Sequence, residues 1–415
     1  MHSEPATSLR NVDLWDGSSA RGLSTLRWSF TGTDAVVESV EPATSGSADA
    51  SGDAAAPTYS VIPGLIDTHV HLVGYAGSGQ KPDFLTWPLV TRPEEQALHG
   101  LSNARKGLLG GVTTMRDLSA DEIQFSLRRA IDAGIVDGPR LQAHGMVSMT
   151  AGHGDMFIPA AFEHRKPTAD GVDECRKLVR HWARAGADGV KIATSGGVLS
   201  EGDKASWRNH TPEEIAAIVD EAHALGMRVA AHAHTAAGID VALEAGVDSI
   251  EHATLITTAQ ATAAAKAGIT LAPTILINDA IAAGLAGVSA EQSEKAKELV
   301  VKRDALMRAA ADVGADFVLG TDANGHHVAF GDQMTEIRRM AAVFGWTAER
   351  TLQSATSRAS AAIGREKNLG SLAPGYLADF LVVRGRPWDD IADLAVENIV
   401  AVVSRGRVVA GTLPQ

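Results

Sequence analysis

Short apolar runs alternate with longer amphipathic stretches through most of the chain, from about residue 61 to about residue 365. The apolar runs lie at residues 61–70, 112–118, 140–145, 189–193, 228–233, 249–252, 270–273 and 316–321. Short apolar runs are typical of buried strands, and amphipathic stretches such as 170–185, 211–225 and 291–313 are typical of helices. The series predicts a closed parallel barrel, because parallel strands need helical crossovers.

Glycines follow several of the amphipathic stretches and mark the expected helix ends, since glycine adopts the left-handed cap conformation without steric cost. They are Gly186, Gly226, Gly246, Gly268 and Gly314. An open doubly wound sheet is the alternative, but it usually has a Gly-rich phosphate turn after its first strand. The sequence after residue 70 has no such turn. We therefore expect an α/β fold with a catalytic (β/α)₈ TIM-like barrel over residues 63–366.

The two chain ends show a different pattern. Residues 8–62 contain β-like runs and no helical periodicity, and β-like runs return at 379–383, 399–403 and 407–409. We expect residues 1–62 with 367–415 to form one small β-sandwich domain into which the barrel is inserted. Residues 44–57 are small or polar, which predicts a flexible surface loop because they offer nothing to bury.

Charge and composition exclude several classes of function. The 415 residues include 37 basic and 50 acidic side chains, a net charge of −13, which argues against a nucleic-acid or anionic-membrane surface. The first residues lack a signal-peptide pattern, and no apolar run is long enough to cross a membrane. The single cysteine, Cys175, excludes an internal disulfide and a Cys-rich zinc site, and we expect no role for it. These features favour a cytoplasmic enzyme, expected as a homo-oligomer, that acts on a small molecule.

Pairs of histidines end two of the predicted strands. The first strand ends Asp67-Thr68-His69-Val70-His71, and the fifth ends Ala231-His232-Ala233-His234. Side chains alternate along a strand, so both members of each pair point the same way. Function in a (β/α)₈ barrel lies at the carboxyl ends of the strands, and two imidazoles on one face suit zinc. Each pair alone is a weak signal.

Three further strands also end in residues that can bind metal. Lys191 ends the fourth strand, His252 the sixth and Asp322 the eighth. A lysine here is either salt-bridged or carboxylated by CO₂, in which case its carbamate oxygens bridge two cations. Five polar strand ends at one rim are hard to explain as core packing, because buried imidazoles and carboxylates need partners. The set predicts a metal centre.

At this point the sequence resembles the amidohydrolase superfamily nearly end to end. Residues 12–17 are similar to its opening strand, residues 61–71 to its first-strand motif and residues 370–379 to its return to the β-sandwich. The segments 191–198, 231–234 and 249–252 resemble one branch of the superfamily. That branch contains prolidase-like and other dipeptidases, N-acyl-amino-acid hydrolases and ochratoxin-type amidases.

The resemblance implies two divalent ions, Zn²⁺ first and Co²⁺ or Mn²⁺ as alternatives. It implies that His69, His71 and Asp322 hold one ion, and that His232 and His252 hold the other. A carbamate on Lys191 would bridge the two ions. His234 matches no ligand in this pattern, and we interpret it as a substrate or supporting group.

The resemblance also implies the reaction. A hydroxide formed at the metals would attack the carbonyl, with Asp322 as general base and then general acid. The expected substrate has an amide or peptide-like bond next to a carboxylate, as in a dipeptide, an N-acyl amino acid or an ochratoxin-like amide. Other hydrolyses at the same site, of a lactone, carbamate or phosphotriester, remain open. So does a metal-free scaffold protein, although the intact ligand set argues against it.

Substrate contacts are less well marked in the sequence. Lys204 and Arg208 follow the fourth strand and could pair a substrate carboxylate, or they could simply be solvated. His153, between glycines, is a candidate to stabilise the oxyanion, and Trp87 and Trp207 are candidates to cover an acyl group. Residues 325–331, with His326 and His327, depart from the branch pattern and border the expected substrate position. The remaining histidines are interpreted as surface or core residues, for example His2, His99, His164, His181 and His223.

Overall fold

A computed structural model describes residues 7–43, 59–162, 166–285, 287–331 and 333–414. The loop predicted at 44–57 lies outside the described residues, as do His2 and His164.

The chain alternates strands and helices over its central part and has only strands and short 3₁₀ turns near its ends. The strands are β1 (Thr7–Trp15), β2 (Ala20–Thr31), β3 (Asp34–Pro42), β4 (Ser60–Pro63), β5 (Leu65–Val70), β6 (Val112–Ala120), β7 (Arg140–Met146), β8 (Gly189–Ala193), β9 (Arg228–Ala233), β10 (Ser249–His252), β11 (Thr270–Ala272), β12 (Phe380–Val383), β13 (Ile399–Ser404) and β14 (Arg407–Gly411). The helices are α1 (Trp87–Val90), α2 (Pro93–Leu109), α3 (Glu122–Asp132), α4 (Val172–Ala185), α5 (Pro212–Ala224), α6 (Ala236–Ala245), α7 (Thr258–Ala267), α8 (Ile275–Ala282), α9 (Ala290–Asp312), α10 (Gln333–Phe344), α11 (Ala348–Ser354) and α12 (Ser357–Ala362).

Local sequence explains where the helices begin and end. Helix α5 starts with a capping box, in which the Thr211 side chain accepts from the Glu214 N–H and the Glu214 side chain accepts from the Thr211 N–H. The five predicted stop glycines all have positive φ, between 71° and 99°. The helices predicted at 170–185, 211–225 and 291–313 are confirmed to within two residues at each end as α4, α5 and α9.

Strands from both chain ends form one sheet in the order β14-β13-β12-β4-β1-β2-β3. Its buried face packs Trp28 against Phe380, with ring centroids 5.1 Å apart. The prediction that both ends build one β unit is confirmed at the level of this sheet. The second layer of a sandwich and the domain boundaries after residues 62 and 366 stay predictions.

The predicted first strand, residues 61–70, is divided in the structure into two strands that belong to different sheets. Strand β4 belongs to the terminal sheet and β5 to the barrel, with Gly64 between them. A Cβ on Gly64 would lie 2.1 Å from Oγ1 of Thr113, so only glycine allows the chain to pass this closely beside β6.

The barrel sheet has seven parallel strands in the order β11-β10-β9-β8-β7-β6-β5. The predicted eighth strand, residues 316–321, is not a regular strand in the described structure, so the count of eight is not confirmed. Single parallel bridges, Leu271 with Phe317 and Val70 with Ala323, connect this segment to β11 and β5. Its ladder is interrupted because the Leu319 N–H donates to the Ser354 oxygen. The barrel is therefore nearly closed, with an irregular segment between its first and last strands.

No helix among the described residues is long and apolar enough to cross a membrane. Cys175 is buried on α4 as a free thiol.

Candidate active site

The polar residues predicted at the strand ends lie together at one rim of the barrel. His69, His232 and His252 are the last or next-to-last residues of β5, β9 and β10, and Lys191 is the middle residue of β8. His71, His234 and Asp322 follow within two residues of β5, of β9 and of the irregular segment. All are buried except His71, whose side chain is 30% exposed.

Two overlapping groups at this rim have metal-ligand spacing. The donor atoms of His69, His252 and Asp322 all lie within 4.8 Å of one another, and so do those of His232, His234 and His252. Asp322 Oδ1 is also 3.1 Å from His71 Nε2. His252 is shared between the two groups. The rim thus brings the predicted histidine and aspartate ligands together, and the ring centroids of His232 and His234 are both 4.6 Å from that of His252. Lys191 lines the same cavity.

One ring nitrogen of each histidine is already engaged, which defines the nitrogen left for a ligand. Nδ1 of His69 is 2.9 Å from Glu251 Oε2, and Nδ1 of His71 is 2.9 Å from Ser119 Oγ. Threonine hydroxyls lie 2.7 Å from Nδ1 of both His234 and His252. In His69, His234 and His252 these contacts leave Nε2 for a ligand, as expected for metal-ligating histidines oriented by supporting groups. In His71, Nε2 instead faces Asp322 Oδ1 at 3.1 Å.

His232 is arranged the other way round. Its Nε2 is 3.1 Å from the backbone oxygen of Gly196, which leaves Nδ1 free. The ring of His153 stacks on it, with centroids 4.0 Å apart and planes inclined by 20°. His153 in turn lies against Gly197, where a Cβ would come within 2.3 Å of its ring. The glycine is needed for this close approach.

Burial favours the neutral form of four rim imidazoles, those of His69, His232, His234 and His252. It lowers the pKa of His69 to about 4 and that of His234 to about 3, and it holds the pKa values of His232 and His252 well below the ordinary value. Ligand nitrogens must be unprotonated to bind a metal ion. The donor set and its protonation therefore fit a divalent cation.

The acidic groups at the rim stay ionised. Burial raises the pKa of Asp322, but His69 and His71 outweigh this and lower it to about 2. Burial likewise raises the pKa of Glu251, but the Arg116 guanidinium and His69 outweigh it and hold the pKa well below the ordinary value. Arg116 Nη2 donates to Glu251 Oε1 at 2.9 Å. The Arg116–Glu251 pair thus places a carboxylate oxygen 2.9 Å from Nδ1 of the His69 ring.

Lys191 is buried on β8, and burial lowers the pKa of its ammonium to about 8. No carboxylate within the described ranges lies within 4 Å of its Nζ. Lys191 therefore forms no salt bridge with the described residues, which argues against the salt-bridged lysine that the sequence left open. A lowered pKa increases the fraction of neutral amine, the form that reacts with CO₂.

Strained backbone is concentrated at the same rim. His252, Ala253, Thr274 and Asp322 have φ values of 69°, 50°, 45° and 56°, all in the left-handed region that non-glycine residues rarely adopt. Such strain persists only where the surroundings enforce it, and it clusters at functional sites.

A cavity of about 620 Å³ opens over the histidine cluster. Apart from the rim residues its lining is largely apolar, with side chains that include Phe84, Trp87, Leu118, Ile123, Phe157 and Ile277. The cavity is large enough for a ligand with a bulky apolar group.

The predicted substrate contacts divide into two sets. His153, His234, Trp87 and the departing loop's His326 line the cavity. Lys204, Arg208 and Trp207 are exposed and are not among the lining residues, so the structure does not bring them to the cluster. The lysines that line the cavity are Lys191 and Lys166, and Lys166 was not singled out by the sequence.

Several supporting residues were also missed from the sequence. Glu251, Arg116, Thr254 and Thr274 each contact a rim histidine or its partner. Glu251 precedes His252 in β10, and a buried acidic residue in an apolar strand was a usable signal. The threonines gave no local signal. Of the other histidines, His223 pairs with Asp248, and His99 and His181 lie outside the rim groups.

Comparison with known proteins identifies the family. A model of the amidohydrolase family matches residues 60–409. Ochratoxinase of Aspergillus niger is 30% identical over 366 residues, which cover 83% of this chain and 74% of that protein. Among solved structures, a Xaa-Pro dipeptidase with bound methionine in the active site has a TM-score of 0.86 at 30% identity, covering 98% of this chain and 100% of that one. The crystal structure of Aspergillus niger ochratoxinase gives a TM-score of 0.84 at 26% identity, covering 99% and 97%.

The chain belongs to the amidohydrolase family, and the resemblance seen in the sequence is confirmed. It is a hydrolase of the class that acts on amide bonds. Members of this family generally bind divalent metal ions, and the rim contains histidine and aspartate groups that could hold one.

Proposed function

We propose that this protein is a binuclear metal-dependent amidohydrolase that cleaves an amide next to a carboxylate in a substrate with a bulky apolar group. The observation that carries the proposal is the rim cluster of neutral, buried imidazoles around Asp322, lying below a largely apolar cavity. N-acyl amino acids, dipeptides and ochratoxin-like amides have this combination of groups. The names of the relatives, an ochratoxinase and a Xaa-Pro dipeptidase, support amide substrates of this kind.

The proposed ligand set is the one that the resemblance to the amidohydrolase superfamily implies, and it is supported by the proximity of the histidines and Asp322 at the rim. His69, His71 and Asp322 would hold one ion, and His232 and His252 the other. A carbamate on Lys191 would bridge them, consistent with its burial and with the absence of a carboxylate partner among the residues described. Zinc is the proposed metal, because it accepts imidazole and carboxylate ligands together, and cobalt or manganese would fit the same donors.

When bound, the metal ions supply a water of lowered pKa and polarise the scissile carbonyl. The residues of the chain do the rest. Asp322 is ionised and unprotonated, so it can take the proton of the attacking water and return it to the leaving nitrogen. His153 and His234 are neutral and line the cavity, so each can donate one N–H to a developing oxyanion or to the substrate.

The substrate carboxylate needs a cation at the cavity. Lys204 and Arg208, the sequence candidates, are exposed and do not line it, so we propose Lys166 instead. Its Nζ is 3.3 Å from Asp121, and its side chain is 62% exposed at the cavity edge. There it can meet an incoming carboxylate while the apolar group enters the cavity.

The proposal is tested with purified protein and matched substrates. Metal analysis should find about two ions per chain, and chelation should abolish activity, which zinc, cobalt or manganese should restore. An N-aroyl amino acid should be cleaved faster than its ester isostere and faster than the same amide without the carboxylate. Full activity in exhaustively metal-free protein would refute the metal centre. Preference for the ester would favour a lactonase-like activity at the same site.

A further inference from the structure

Thr274, directly before α8, adopts an unusual backbone conformation. Its φ and ψ are 45° and 54°, in the left-handed region, where a β-branched residue is a genuine outlier. The residue is fully buried, so water does not compete for its hydroxyl. Oγ1 lies 2.7 Å from Nδ1 of His252. The strained conformation therefore holds the hydroxyl on Nδ1 of His252, which leaves Nε2 as the nitrogen available to a ligand.

The first turn of α8 is held by a buried glutamate from a distant part of the chain. Glu336 on α10 accepts the Ile275 N–H at 2.6 Å with Oε1 and the Leu276 N–H at 2.9 Å with Oε2. These are the first two amides of α8, which have no partner within the helix itself. Asn278 adds a third restraint, since its Nδ2 donates to the Thr274 oxygen at 3.1 Å.

Glu336 has no other bonded partner among the residues the structure describes. Its side chain is fully buried, and no lysine, arginine or histidine there lies within 4 Å of its carboxyl oxygens. Burial raises the pKa of Glu336 to about 8, whereas the two N–H donors act to lower it. Burying an acid without an ion pair is energetically unfavourable. Both carboxyl oxygens of Glu336 accept N–H groups from the first turn of α8.

We infer that Glu336 is a positioning residue for the metal centre. By clamping the first two amides of α8, it holds Thr274 in its strained conformation, and Thr274 orients the His252 ring so that Nε2 points to the cluster. The inference rests on the proposed function, in which His252 is a ligand. It predicts that changes at either residue weaken metal retention without a change in any ligand.

The molecule offers a close internal control. Thr254 makes the same contact one strand earlier, with Oγ1 2.7 Å from Nδ1 of His234. Its φ is not positive, and His234 is not a ligand in the proposed set. Loss of the Thr254 hydroxyl should therefore leave metal retention unchanged.

The experiment compares isosteric variants as zinc-loaded enzyme. Thr274→Val removes the hydroxyl and keeps the shape, Thr274→Ser keeps the hydroxyl, and Glu336→Gln replaces one acceptor by a donor that faces an N–H. We measure zinc retention against a competing chelator, the visible spectrum of the cobalt-substituted enzyme, and the unfolding midpoint. Thr254→Val is the contact control. Glu214→Gln, which removes part of the remote α5 capping box, is the control for loss of a helix cap.

Thr274→Val and Glu336→Gln should each weaken zinc retention by about 10-fold or more and alter the cobalt spectrum, as loss of a supporting group does. Thr274→Ser, Thr254→Val and Glu214→Gln should stay close to the parent. The double variant Thr274→Val/Glu336→Gln should retain zinc no worse than the single variant with the poorer retention. The reason is that Glu336 acts through Thr274, so the two effects should not add.

The outcomes separate the two proposals. If the parent protein binds no metal, the proposed function fails. If the parent binds zinc but Thr274→Val retains it like the parent, the positioning inference is wrong while the metal centre stands. If Glu336→Gln folds and retains zinc like the parent, the role of Glu336 is refuted. If Glu336→Gln does not fold, the Thr274→Val and Thr274→Ser pair still tests the step from Thr274 to His252, and failure of that step refutes the inference. If Thr254→Val loses zinc as strongly as Thr274→Val, a specific role for the Glu336–Thr274 pair is refuted.

Discussion

The barrel has a polar cluster at each of its two ends, and the two are built differently. At the carboxyl ends of the strands, buried imidazoles with lowered pKa values surround Asp322. At the opposite end, a second cavity of about 240 Å³ is lined by four arginines and two aspartates, together with apolar and neutral polar residues. Those arginines are Arg128, Arg140, Arg365 and Arg405.

Ion pairs dominate the second cluster and tie the barrel to the terminal sheet. Arg140 on β7 pairs with Asp379 at 2.6 Å and with Asp34 at 2.8 Å. Arg405, between β13 and β14, pairs with Asp34 at 3.0 Å and with Asp132 at 2.6 Å. Burial lowers the pKa of Arg140, but its carboxylate neighbours outweigh this and raise it. Nearly every charge here is matched, so the cluster holds the structure together and leaves little free for a ligand.

The active-site rim shows the reverse arrangement. Hydroxyls, a backbone oxygen and Glu251 lie beside one ring nitrogen of His69, His232, His234 and His252, and leave the other nitrogen for a ligand. The difference teaches that buried polarity alone does not mark a functional site. A functional site is better marked by donor atoms that remain free on side chains whose other polar atom is held by a supporting partner.

The largest effect is expected at Lys191. Lys191→Ala should lose the second ion and reduce kcat at least about 100-fold, because the proposed bridge is gone. Lys191→Arg should fail as well, since a guanidinium cannot form the carbamate. The number of metal ions per chain and the steady-state kinetics are measured for both variants. Partial rescue of Lys191→Ala by short carboxylic acids would support the bridge, and normal turnover with both ions in Lys191→Arg would contradict it.

His232 and His234 provide the next test, because both lie within ligand distance of His252. His232→Asn should lower metal content and activity together, from about two ions per chain to about one. His234→Asn should keep both ions and lower turnover to a degree that depends on the substrate's side chain. Metal analysis and kinetics on two unlike substrates decide. If the His234 variant is the one that loses metal, the ligand assignment shifts by two residues.

The opposite cluster should respond in stability and not in chemistry. Arg140→Ala leaves buried Asp379 without its ion-pair partner, with only the Arg405 N–H still donating to it, and should lower the free energy of unfolding by about 3 kcal/mol. Metal content and kcat of the folded protein should not change. Arg365→Ala is the control, because Arg365 lines the same cavity and has no carboxylate within 4 Å among the described residues. Arg365→Ala should lower the free energy of unfolding, measured by chemical denaturation, by less than about 1 kcal/mol. Equal losses in the two variants would show that pairing is not what stabilises this end.

The smallest effect is expected at the cavity edge. Lys166→Ala should raise KM about fivefold for substrates with a carboxylate and leave KM unchanged for the same amides without one, as expected for an exposed ion pair. Lys204→Ala is the matched control and should leave both KM values unchanged. A larger effect from Lys204→Ala would return the carboxylate contact to the original sequence candidate.

Much of the candidate site was predictable because its residues follow local rules. Alternation along a strand places His69 with His71 and His232 with His234, and strand order brings the ends to one rim. The irregular eighth segment was not predictable in this way. Its apolar run looks like a strand, but the Leu319 N–H bonds to Ser354 and Asp322 has a φ of 56°. Lys204 and Arg208 failed to reach the cavity because the direction of a loop is not encoded in strand spacing.

The sequence by itself determined the family, the alternation of strands and helices and the polar residues at the strand ends, because each rests on local periodicity or on a contiguous motif. The tertiary structure decided which nitrogen of each imidazole stays free. The partners that decide it, Thr254, Thr274 and Glu251, lie 20, 22 and 182 residues from their histidines. The clamp from Glu336 reaches α8 across 61 residues. Contacts over such separations depend on barrel closure and helix packing, and no local pattern records them.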